Sequence, residues 1–133
     1  MKNLFLDTVK KIIDAAKRPD FLQESHPEAI KLLNKPYMLL VIETWEQEGR
    51  ERVIAVAHYF LMNGDVIYDP EIVITATGKP IGITQCTPAG QVQKVIKTEQ
   101  ERKDARTFMQ LWARNLLAQG WIEAARKSAE LRG

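Results

Sequence analysis

One of the chain's two histidines, His58, stands at spacings from several carboxylates that could do chemistry. Asn63-Gly64 between two apolar runs is a strong hairpin signal, because both residues tolerate the positive φ of a type I′ turn. A two-residue loop there sets Leu61 opposite Val66, Tyr59 opposite Tyr68 and His58 opposite Asp69. Side chains opposed in this way have Cβ atoms ~4.5–5.5 Å apart, close enough for a carboxylate to hold an imidazole. By the two-residue period Asp65 shares the face of His58, and so does Glu71 provided Pro70 does not flip the strand. If Glu48-Gly49 centres the preceding turn, Glu43 joins that face opposite Ile54.

Two chemistries fit such a group. Imidazole and carboxylates can hold a divalent metal, with His58, Asp65, Asp69 and Glu71 as candidate ligands. Alternatively His58 acts as a general base oriented by Asp69, with Asp65 beside them. Against both stands a structural reading, in which a buried His58 and Asp69 satisfy each other within an apolar sheet and lose stability together when either is changed. The structural reading is preferred, since there is no second nitrogen ligand and no H-x-x-x-H or H-x-x-E-H spacing. No cofactor is expected beyond that possible metal. G-x-S-x-G, P-loop and dinucleotide signatures are absent, and Gly78-Lys79 precedes Pro80 and a strand, not a helix. Cys86 is the one cysteine, so no intramolecular disulfide or multi-cysteine zinc site exists, and a small buried strand residue is expected there.

A second possibility is nucleic acid. Arg102, Lys103, Arg106, Arg114, Arg126, Lys127 and Arg132 lie in the last third of the chain, interleaved with Trp112 and Trp121. Such residues can neutralise phosphates and stack on bases. Glu99, Glu101, Asp104, Glu123 and Glu130 dilute the patch, so solvated helix faces are the preferred reading. Trp121, just past Gly120, is expected half exposed at a partner surface with Arg106, Arg114 and Arg126.

The elements that must position these residues follow from periodicity. Phe5, Val9, Ile12, Ile13 and Ala16 make one stripe of a helix over residues 4–18, ended by Pro19. Ser25-His26-Pro27-Glu28 has a capping-box pattern, which predicts a second helix with Ala29, Ile30 and Leu33 inward. Strands are then expected at 37–45, 53–62, 66–75, 80–86 and 91–96, with turns at 47–50, 63–64, 77–78 and 87–90. The strand at 53–62 is apolar at nearly every position, as when both sheet faces are covered. Thr98-Glu99-Gln100-Glu101 is a further capping box, opening a helix with Ala105, Phe108, Met109, Trp112, Ala113 and Leu116 inward. Gly120 stops it, and 121–131 forms a last helix. The expected architecture is α+β: a single domain over 1–133, helical at 1–36 and 98–133, with a five-stranded antiparallel meander at 37–96.

Composition agrees with that class. Hydrophobic residues make up 45% and charged residues 27%, which excludes a disordered or low-complexity chain. No apolar run approaches the ~18 residues of a membrane span, and Asp7, Lys10 and Lys11 interrupt any signal-peptide core, so a cytoplasmic protein is expected. Charge is segregated: residues 37–93 carry three basic and seven acidic groups, residues 94–133 nine basic and five acidic. That asymmetry bears on partners more than the net charge of +2.

His58-Tyr59, Asn63-Gly64-Asp65, Asp69-Pro70-Glu71, Pro80-Ile81 and Gln85 together resemble an uncharacterised family of small domains. These are encoded on bacterial plasmids, integrative elements and phages, with a core pattern similar to H-Y-x-x-x-x-G-D-x-x-x-D-P-E. The resemblance spans about residues 55–96 and implies a mobile-element accessory protein, without supplying a catalytic residue. The expected function is a non-enzymatic interaction module that binds a protein or nucleic acid. The alternative is a metal-dependent or acid–base enzyme built on the His58 cluster.

Overall fold

The computed structural model describes residues 3–47 and 49–132. Helix α1 spans Leu4–Ala15 and buries Phe5, Val9, Ile12 and Ile13 of the predicted stripe with Leu6 beside them, while Ala16, also buried, is its C-cap. Asn3 caps it by accepting from the Leu6 N–H at 2.9 Å, while its own amide donates to the Gly78 carbonyl at 3.0 Å. The cap therefore also ties the helix to a turn of the sheet.

Six strands follow: β1 (Ile30–Leu32), β2 (Leu39–Trp45), β3 (Val53–Met62), β4 (Asp65–Thr75), β5 (Pro80–Thr87) and β6 (Gly90–Val95). All neighbours are antiparallel and the spatial order equals the chain order, so the sheet is a meander of six strands, not five. The extra strand replaces the expected second helix. The Ser25–Glu28 capping box does not form; the Ser25 hydroxyl instead reaches the Glu46 carboxylate at 3.4 Å. Ten residues separate Ser25 from Pro36, short of the ~12–15 at which a helix becomes marginally stable by itself. The alternation at Ile30 and Leu32 fits the exposed edge of β2, where they pair with Ile42 and Leu40. Leu32 is consequently buried, and Leu33 is exposed.

Helices α2 (Glu99–Ala118) and α3 (Trp121–Arg132) complete the chain. The expected capping box of α2 is present: Thr98 Oγ1 accepts from the Glu101 N–H at 3.0 Å, and the Thr98 N–H donates to Glu101 Oε1 at 2.9 Å. The Thr98 N–H and the Lys97 N–H, which donates to the same oxygen at 3.1 Å, hold the Glu101 carboxyl down at about 2. All three helices lie on one sheet face, where Phe5, Val9, Met109, Trp112, Leu116, Trp121 and Ala125 join Leu40, Ile42, Ile54, Val56, Ile72 and Ile74 in one core. The residues of β3 between these, Val53, Ala55 and Ala57, are buried on the opposite face, outside the core cluster that the helices join, and no helix of the described residues covers that face. Ala55 lies between Glu43 and Val73, and Ala57 between Val41 and Glu71, so small residues sit low among taller neighbours.

Candidate functional site: a helix-free sheet face

The Asn63-Gly64 turn is as expected, with φ of +52° and +86° and the pairs Leu61–Val66 and Tyr59–Tyr68. Beyond Tyr59 the register shifts. Ala57 pairs with Glu71, leaving Asp69 and Pro70 together opposite His58. This bulge has two consequences. It turns Glu71 onto the same face as Tyr59 and Tyr68, so Pro70 does mark a flip. It also parts the imidazole from the carboxylate that was to hold it.

His58 points under the helices. It is 8% exposed, with its ring 5.5 Å from the Trp112 ring and 5.5 Å from the Trp121 ring. Its Nδ1 lies 3.4 Å from the Leu39 carbonyl, which can only accept, so the proton belongs on Nδ1. Burial pushes its pKa below the ordinary 6.5, opposed by the backbone of Leu39 and Met38. Asp69 is turned elsewhere and accepts from the Cys86 N–H at 3.1 Å. Asp65 is exposed at the far end of the hairpin, opposite Met62. The candidate metal set His58, Asp65, Asp69 and Glu71 is thus dispersed. Among the described residues no group of three or more His, Cys, Asp or Glu side chains is placed to hold a metal.

Glu43 is also on the other face from His58. The turn expected at Glu48-Gly49 falls partly outside the described residues, but the strands it joins are registered one residue from expectation. Glu43 faces Ala55, not Ile54. A one-residue slip moves every side chain to the opposite face, and here it places Glu43 with Glu71.

What the two register changes assemble is a different cluster, on the face without helices. Tyr59 and Tyr68 form one cross-strand pair, and Glu71 and Thr84 the next row, with Glu43 across the low floor of Ala55 and Ala57. The Thr84 hydroxyl donates to Glu71 Oε1 at 3.4 Å. Burial pushes the Glu71 carboxyl above its ordinary value; the Thr84 hydroxyl opposes this and the Glu43 charge adds to it. Burial also raises Tyr68, reinforced by Glu43, Glu71 and Tyr59. Two carboxylates and two phenols therefore share one partly desolvated patch of this face, and among the described residues neither carboxylate has an ion-pair partner. Chemically, that arrangement can receive a positive group: the carboxylates supply charge, the ring faces supply cation–π attraction. Exposed Leu61, Val66 and Val95 border it on the same face.

The basic candidates are muted. Arg106 lies 3.5 Å from Glu99, which Arg102 also contacts at 3.0 Å, and Arg126 pairs with Glu123. Arg114 is exposed on α2. Trp121 is not half exposed but 0% exposed. Past Gly120 the chain folds α3 back onto α1, which sends the indole into the core against His58, with its N–H donating to Gln119 Oε1 at 3.1 Å. Cys86, expected buried, is exposed, because it lies near the unsupported end of the β5–β6 hairpin.

These observations define a helix-backed antiparallel sheet domain with one uncovered acidic and aromatic face. The chain belongs to the DUF6908 family, a domain of unknown function, whose family model matches residues 7–122. The match takes in most of α1, the whole sheet and α2, well beyond residues 55–96. No curated protein and no solved structure matches the chain. Among the described residues no helix is long and apolar enough to cross a membrane.

Proposed function

We propose that the chain is a non-enzymatic, protein-binding module of the bacterial cytoplasm, whose helix-free sheet face receives a basic segment of its partner. The observation that carries this reading is the gathering of Glu43, Glu71, Tyr59 and Tyr68 on one sheet face beside the small residues Ala55 and Ala57. Burial and the Glu43 charge disfavour the Glu71 carboxylate in the free protein, and an arriving guanidinium or ammonium relieves that repulsion. The exposed Leu61 and Val66 at its rim suit apolar residues flanking the cation. Protein is favoured over nucleic acid because this face is acidic, while the arginines of α2 and α3 are largely matched by their own acids. The resemblance to mobile-element domains suits an accessory protein that acts by such contacts.

The pH dependence follows from Glu71. A cation favours its ionised form, so affinity rises as pH climbs through the elevated Glu71 pKa and falls on acidification. The test is titration of labelled protein with a short peptide alternating arginine and leucine, followed by amide NMR. Shifts are expected at Ala57, Tyr68, Glu71 and Thr84. Glu43→Gln with Glu71→Gln should weaken binding by about tenfold or more, the effect of losing desolvated charge contacts. Binding unchanged in that variant, or tighter binding of a single-stranded oligonucleotide through Arg106, Arg114 and Arg126, would refute the assignment.

A further inference from the structure

We infer that β6 is a self-pairing edge through which two copies of this chain join their sheets. β6 is the terminal strand of the order β1–β6, and all six of its residues are exposed. Its ladder to β5 runs without a register shift from Thr87–Gly90 to Gly82–Val95, and the Ile96 N–H continues it by donating to the Ile81 carbonyl at 3.1 Å. In an antiparallel ladder such bonds alternate. Counting back from Ile96, Lys94, Val92 and Gly90 direct their backbone groups to β5. Gln91, Gln93 and Val95 direct theirs outward. Three donors and three acceptors thus line the rim of the sheet.

Protein edges are ordinarily blunted by proline, a bulge, an outward charge or a covering element. The opposite edge shows such protection: β1 has only three residues, α3 packs on it, and Asn34 ties its end to the Gln119 carbonyl at 2.7 Å. β6 contains no proline and no bulge. Its one charge, Lys94, is on the helix side and reaches Glu101 at 3.3 Å. α2 packs over β5.

The occupant is a second copy because the strand complements itself. An antiparallel two-fold through Gln93 makes bonded pairs of Gln93 with the second copy's Gln93 and of Gln91 with the second copy's Val95. All three outward donors and acceptors are then used on both sides. Between them Val92 faces the second copy's Lys94, so no row sets like charges opposite each other. The glutamine amides at the axis can donate to and accept from one another. Val95, 65% exposed in the single chain, gains cover from the second copy's Gln91 stem. The product is a continuous twelve-stranded sheet by doubling six.

Sedimentation equilibrium on the full chain across a wide concentration series tests this, with three variants. The natural chain should show a concentration-dependent monomer–dimer equilibrium. Gln93→Pro removes an outward N–H and leaves the β5 ladder intact, so it should remain folded by circular dichroism and be monomeric. Val92→Glu places a carboxylate opposite the second copy's Lys94 and should tighten the dimer by about tenfold, while Val92→Lys should loosen it by a similar factor. This opposed pair decides the register even if the proline variant does not fold. A natural chain that stays monomeric at the highest concentrations, a folded Gln93→Pro chain that still dimerises, or Val92 variants that shift the equilibrium in the same direction would overturn the inference.

Discussion

Acidification isolates the role of His58. The imidazole is buried against two indoles and its hydrogen bond to the Leu39 carbonyl is a long one, 3.4 Å. Its folded pKa is therefore depressed below the ordinary 6.5. Where the folded pKa is the lower one, the unfolded chain binds the proton first. The stabilising contribution of the neutral ring is complete above the unfolded value and erodes as pH falls from there toward the folded one. One proton sets the steepest possible slope at about 1.4 kcal/mol per pH unit. Urea unfolding between about pH 7.5 and about pH 5.5 measures it. The natural chain should lose stability across that window with a slope below this limit. His58→Leu should lose distinctly less, while matching the natural chain within about 1 kcal/mol at the upper end, since it forfeits one weak hydrogen bond. Glu71 has the opposite sign, its raised pKa making protonation favour the fold, but it is common to both proteins and cancels in their difference. Parallel curves for the two proteins would show that the ring is not held neutral in the core, and would reopen a general-base role.

Gly78→Ala tests the joint between α1 and the sheet. Gly78 has φ of +95°, and an added Cβ would lie 2.2 Å from Asn3 Nδ2. The substitution combines left-handed backbone strain with displacement of the Asn3 cap and should cost about 2–3 kcal/mol in thermal or urea unfolding. A cost under about 0.5 kcal/mol would contradict the contact. His58 and Asp69 have separate partners, so a double-mutant cycle on His58→Leu and Asp69→Asn should return a coupling within about 0.5 kcal/mol of zero. A larger coupling would restore the pair that the hairpin register suggests.

Local chemistry was readable wherever a few neighbouring residues decide the outcome. The apolar stripe of α1, the capping box Thr98–Glu101, the Asn63-Gly64 turn and the strand at 53–62 all depend on contacts within a few positions, and all are present. The segment after Ser25 was not readable in that way. Its capping pattern is local, but the free edge of β2 that captures Ile30 and Leu32 is contributed by residues further along the chain. Trp121 likewise looked like a surface residue because its burial depends on how α3 returns over the core.

The site depended even more on the assembled sheet. The amino-acid order by itself determined which residues carry chemistry, that they lie on adjacent strands, and that a tight turn joins two of those strands. Only the tertiary structure decided which of them share a face. The bulge opposite His58 and the offset between β2 and β3 each amount to a single residue, and on a strand one residue separates the two sides of the sheet. Those two offsets parted the imidazole, already in the core by the alternation of β3, from its expected carboxylates, and set Glu43 and Glu71 with Tyr59 and Tyr68 on the side that meets solvent.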